Sequence, residues 1–155
     1  MAMTLRDEIQ QTKPFTSLQE EALLNVVRTS ATMTDEMEEL LKERGITNTQ
    51  YNVLRILRGA EPAGLCRNEL RDRMLTRMPD VTRLLDRMEE AGLVARSRDN
   101  EDRRLVSTRI TDAGRKVVDG LDAPVHEFHK RRMAHVSDEQ LRTLINLLTL
   151  ARDRG

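Results

Sequence analysis

Between Val81 and Gly114 the chain changes its hydrophobic period twice, and this stretch restricts the fold more than any other. Val81, Leu84, Leu85 and Met88 recur at i, i+3, i+4 and i+7, which gathers one apolar stripe on one face of a helix. The same spacing throws Thr82, Arg83, Asp86 and Arg87 onto the opposite face. Gly92 is placed to close that helix, because glycine adopts the left-handed terminal conformation without steric cost. Two short β-prone runs follow, Leu93–Ser97 and Leu105–Ile110, joined by a polar tip holding Asp99-Asn100 and Asp102-Arg103-Arg104. A helix with an Arg-bearing outer face fits the major groove of duplex DNA. A slim Arg-tipped hairpin beside it can reach the minor groove.

Composition narrows the class without naming it. The 155 residues suit one domain with a real core, and 38% hydrophobic with 34% charged residues describe a soluble, mostly helical protein. The formal net charge is zero, so a nucleic-acid partner has to be recognised through a local patch rather than a bulk excess. A single cysteine excludes an internal disulfide and fits a reducing compartment. The opening MAMTLRDEIQQTKP has no apolar run, and no segment approaches membrane-spanning length. A cytoplasmic protein with no membrane partner is therefore expected.

Along the chain, Ser17 to about Arg44 predicts one long helix, with Ala22, Val26, Met33, Met37 and Leu40 in phase and Gly45 as its stop. Thr47 and Gln50 form a capping box that opens a helix to Arg58, in which Val53, Leu54 and Leu57 are the buried set. Glu61 to Gly64 reads as a loop, Arg67 to Met74 as a short helix, and Leu75 to Met78 as a tight connection. Pro79 suits a first helical turn, so the next helix is expected over 79–91. After the hairpin, Thr111-Asp112 starts a helix that can run to about Arg131, with Pro124 as a point of disturbance. Ser137 and Gln140 make a second capping box, and Leu141, Leu144, Ile145, Leu148 and Ala151 share one face of the last helix.

Short helix, turn, second helix and hairpin make a winged helix-turn-helix. The fold class is thus mainly α with a small β-hairpin wing, a single domain over 1–155. About 47–111 form the winged unit, flanked by dimerisation helices at about 17–44 and 115–153. Those flanking helices carry more apolar surface than a small winged unit covers, which points to a homodimer. A twofold dimer also sets two reading helices for successive major grooves, roughly 34 Å apart.

Six helices with a wing before the fifth, Asp102-Arg103-Arg104, and then Ile110-Thr111-Asp112-Ala113-Gly114 together resemble the MarR-type bacterial transcription regulators. Val81 to Val94 is similar to that family's recognition helix and the start of its wing, and the likeness extends over about 18–153. The resemblance implies a homodimer on a pseudo-palindromic operator in double-stranded DNA, acting as a repressor. It also implies release by a small aromatic or phenolic effector, seated between the dimerisation helices and the winged unit, or sensing of oxidants or metals instead. Cys66 stands where members often carry Ser or Thr at the start of the first helix of the motif, and Leu75 to Pro79 is an unusual approach to the recognition helix.

The candidate DNA-binding residues follow from both arguments. Arg83 and Arg87 face outward for guanine edges or phosphates, against the plainer reading of a solvated helix face. Thr76, Arg77, Pro79, Asp80 and Thr82 lie at the end of the helix that approaches bases. By resemblance, Arg104 is the wing arginine for a narrow minor groove, and Asp102 holds it by a charge-assisted hydrogen bond. Arg98 and Arg103 are phosphate contacts; the alternative for the whole tip is a charged, solvated hairpin.

Other chemistry is thin. His126 and His129 are i, i+3, one residue short of the zinc-binding His-Glu-x-x-His spacing, and His135 becomes a third ligand only through folding. No metal or other cofactor is expected. Cys66 at a helix start could sense oxidants, although an indifferent cysteine is the plainer reading. There is no phosphate-cradling glycine loop, nucleophile elbow or supported acid/base pair, so an enzyme is not expected. Two rivals stay open: a winged-helix protein-interaction module, favoured by the zero net charge, and a redox- or metal-sensing regulator.

Overall fold

The computed structural model describes residues 3–98 and 105–153. The chain forms two compact units, Met1–Arg115 and Lys116–Gly155. The first begins with a one-turn helix α1 (Leu5–Glu8), where a plain polar segment was expected; Thr4 and Asp7 close it with a capping box. The long helix α2 (Leu18–Lys42) is capped by Ser17, whose hydroxyl accepts from the Glu20 N–H, and ends before Gly45 at φ +69°. Its buried residues are Met37 and Leu41, so the inward phase at that end runs through Leu41 rather than Leu40. Val26, expected in the buried stripe, is exposed along with Leu18, Leu23, Leu24 and Val27.

Helix α3 (Asn48–Gly59) starts with the Thr47–Gln50 capping box and buries Tyr51, Val53, Leu54 and Leu57. These residues supply the centre of the first unit. Strand β1 (Leu65–Cys66) has no counterpart in the sequence-based expectation; it runs without a spacer into α4 (Arg67–Arg73), for which Cys66 is also the N-cap. Gly64, at φ +76°, makes this close passage possible, since a Cβ there would lie 2.5 Å from the Thr108 carbonyl oxygen.

Helix α5 spans Val81–Glu90 and buries Val81, Leu84, Leu85 and Met88, the four residues of the expected stripe. It starts two residues later than the proline suggested. Asp80 is the N-cap and Pro79 stays outside the helix, because the Asp80 carboxylate satisfies the Arg83 N–H. Strands β2 (Val94–Arg98) and β3 (Val106–Ile110) pair antiparallel from Val94 opposite Ile110 to Arg98 opposite Val106. The other side of β3 pairs with β1, giving the order β1-β3-β2 with Thr108 buried in the central strand.

Helix α6 (Asp112–Asp119) carries the chain across the boundary of the two units. The expected single helix to Arg131 is broken at Gly120-Leu121, where α7 (Asp122–Met133) begins. Pro124 does not cause the break. It occupies the third position of α7, where a missing N–H costs nothing. In the second unit Val118, Leu121 and Val125 are buried, while α8 (Asp138–Arg152), opened by the Ser137–Gln140 capping box, buries none of its residues. Among the described residues no helix is long and apolar enough to cross a membrane.

Candidate nucleic-acid interface

The first unit brings α4, α5 and the three-stranded sheet into one winged motif. The turn between the two helices is fixed to α3, because the Leu75 N–H donates to Asn52 Oδ1 at 2.9 Å. At the head of α4 the Cys66 N–H donates to Glu69 Oε2 at 2.8 Å, and this bond holds the Glu69 carboxyl below its ordinary range. Thr76, Arg77, Pro79 and Asp80 are exposed along the connection, so the approach to α5 lies open to solvent.

At the start of α5 a carboxylate and a guanidinium are held together. Asp80 Oδ1 accepts from the Arg83 N–H at 2.9 Å, and Asp80 Oδ2 lies 3.6 Å from Arg83 Nε. The Arg83 side chain remains 73% exposed, so its guanidinium projects outward from the capped end. Thr82 accepts a hydrogen bond from Arg67 Nη1 at 3.2 Å. A hydroxyl has one proton and two lone pairs, so accepting this bond leaves Thr82 able to donate one of its own. Arg87, one turn after Arg83, is exposed and makes no ion pair among the described residues.

Asp86 turns to the sheet instead. Arg96 on β2 places Nη2 2.7 Å from Asp86 Oδ1 and 2.5 Å from Glu89 Oε2, and its backbone N–H donates to Glu89 Oε1 at 3.1 Å. These bonds hold the Glu89 carboxyl below its ordinary range and raise the Arg96 guanidinium further. Arg98 is exposed at the end of β2. Asp102, Arg103 and Arg104 lie outside the described residues.

A cleft of about 360 Å³ opens inside this unit between α4, α5 and the sheet, lined by Cys66, Arg67, Thr82, Leu85, Arg96 and Val106 among others. Arg67 and Arg96 are the contributors that sequence reasoning missed. Strand alternation alone offered a signal for Arg96: Val94 is buried, so Arg96 two residues on shares its side. His126, His129 and His135 gather no third ligand, since no cluster of three or more His, Cys, Asp or Glu fit for a metal occurs among the described residues.

Where the base of the wing meets α6, Thr111 Oγ1 donates to the Gly92 carbonyl at 2.6 Å and accepts from the Gly114 N–H at 3.0 Å. The run Ile110 to Gly114 therefore has a physical role, since one hydroxyl closes the turn after α5 and caps α6 at the same time.

A recognition helix docked through one buried stripe, preceded by a short helix and followed by an antiparallel hairpin, defines a winged helix-turn-helix protein. Residues 46–106 match the sequence profile of the MarR family. The crystal structure of a MarR transcription factor from Planctomyces limnophilus shares 39% identity over 88% of this chain and 99% of that one, with a TM-score of 0.67. The MepR–DNA complex of S. aureus aligns at a TM-score of 0.75 and 26% identity, covering 89% of this chain and 97% of MepR. The HTH-type transcriptional regulator YdgJ of Bacillus subtilis (strain 168) is 31% identical over 109 residues, 70% of this chain and 65% of YdgJ. The chain belongs to the MarR family of transcription regulators.

Proposed function

We propose that the chain is a homodimeric, sequence-specific DNA-binding transcription regulator, a repressor released from a pseudo-palindromic operator by a small aromatic or phenolic ligand. The observation that carries this reading is α5 itself. Four of its side chains are buried in the core, while Arg83 and Arg87 stand exposed on the outer face beside a hairpin. Thr76, Arg77, Pro79 and Thr82 surround the end that enters the groove, with Asp80 as cap and brace for Arg83. Arg98 and Arg103 reach phosphates, and Arg104, steadied by Asp102, enters the minor groove. The S. aureus relative was crystallised on DNA, which supports the same use here.

Dimerisation is supported by apolar side chains left uncovered in the protomer. Leu18, Leu23 and Val27 on α2 are exposed, and so are Ile145, Leu147 and Leu150 on α8. A second copy of the chain is the simplest partner for them. Effector release is then a population shift, in which the ligand favours a spacing of the two reading helices that does not fit DNA.

The decisive experiment is a titration of the purified protein with labelled duplexes from the DNA flanking its own gene, each containing an inverted repeat, against scrambled controls. Binding to one repeat that exceeds the scrambled duplex by about a thousandfold or more at fixed salt supports the reading. Equal, weak binding to all duplexes overturns it and leaves a protein-interaction module.

A further inference from the structure

Arg96 makes a three-point grip between α5 and the wing. Its guanidinium reaches two carboxylates one turn apart on α5, Asp86 and Glu89, while its main-chain N–H occupies the second oxygen of Glu89. Arg96 Nε adds a further bond to Glu89 Oε2 at 3.0 Å. The planar fork of an arginine matches such a constellation in a way a flexible ammonium does not. All three residues retain solvent exposure, so the contribution to global stability is small. The geometry nevertheless ties helix to strand, because three side chains and one backbone group are pinned together.

From this geometry we infer that Arg96 is a positioning residue for DNA recognition: it locks β2 to α5 so that helix and wing engage one duplex as a single rigid body. The inference rests on the DNA-binding reading above. Arg96 itself is turned inward to the carboxylates, and it is not a phosphate contact. Without the lock, the hairpin has to be oriented at the moment of binding, and the ordering cost is subtracted from affinity.

The test uses the full chain and a labelled inverted-repeat duplex that the parent protein binds, with binding measured at two salt concentrations and thermal unfolding recorded for each variant. Arg96→Met keeps the aliphatic stem and is expected to lose tenfold or more in affinity while the slope of log affinity against log salt stays unchanged. A slope lowered by about one unit per half-site would mean that Arg96 touches phosphate directly, and the inference would fall. Arg96→Lys, which keeps one ion pair, is expected to recover part of the loss. The triple variant Asp86→Asn, Glu89→Gln, Arg96→Met relieves the unpaired carboxylates without the lock and is expected to stay weak; recovery to parent affinity overturns the positioning role. If Arg96→Met does not fold, Glu89→Gln reads the same lock, with a several-fold loss expected and parent affinity overturning the inference. Failure of the parent to prefer any repeat condemns the functional reading itself, whereas a binding parent with equally strong Arg96 variants condemns the lock alone.

Discussion

The carbonyl oxygen of Leu93 lies 2.2 Å from the point a Cβ on Gly114 would occupy. The last residue before the wing and the first turn of α6 are thus in backbone contact, and Ile110 closes the same space from the side, its Cγ1 3.0 Å from that point. Only a glycine fits. Gly114→Ala is expected to destabilise the fold by about 1–3 kcal/mol through overpacking against a rigid carbonyl. Chemical denaturation of the two proteins checks it, and an unchanged midpoint would show that the wing base can yield.

Arg83 and Arg104 are expected to divide recognition between sequence and shape. Arg83→Ala should cost about 1–3 kcal/mol per half-site on the operator and far less on scrambled DNA, relaxing specificity at one symmetric position. Arg104→Ala should weaken all A·T-flanked sites alike and lower the salt dependence by up to about one unit per half-site. Parallel titrations of both variants on operator and scrambled duplexes at two salt concentrations distinguish the two roles. Parent-like binding by both would remove helix and wing from the interface.

Placing a charge on the exposed apolar face of α8 should separate the proposed dimer. Ile145 is 61% exposed in the protomer and Leu150 68%. Ile145→Glu is expected to shift the protein toward monomer in sedimentation experiments and to lower operator affinity with it. A parent protein that sediments as a folded monomer at micromolar concentration would contradict the dimer.

Glu89 gives the fold a defined acid sensitivity. Its carboxyl is held below the ordinary glutamate value because Arg96 donates to it. Its contribution to stability is therefore complete above that value and disappears as pH falls through the lowered, folded-state value. The stability gap between the parent and Glu89→Gln should shrink on acidification across that window. A gap that is constant with pH would show that the Arg96 bond does not bias the carboxyl.

Much of this architecture is legible in the sequence wherever one short-range pattern decides the outcome. The Val81–Met88 stripe, the capping residues Thr47 and Ser137 and the strands of the wing appear within a residue or two of their expected places. Competition between neighbours is harder to read. Pro79 and Asp80 both suit a helix start, and the carboxylate prevailed because it satisfies a free N–H whereas proline only tolerates the position. Strand β1 is too short for any period, so only its pairing with β3 reveals it. The site divides in the same way. The outward phase of Arg83 and Arg87 follows from spacing, but the partners that hold Thr82, Asp86 and Glu89 arrive from other elements, and no local pattern names them.

Cys66 ends β1 and begins α4 in a single residue, while β3 is paired along both sides. The root of the wing therefore has no slack. A register slip of one residue in β3 would drag the front of the helix-turn-helix with it. For anyone regrafting this scaffold, the root of the wing is the part to leave as it stands.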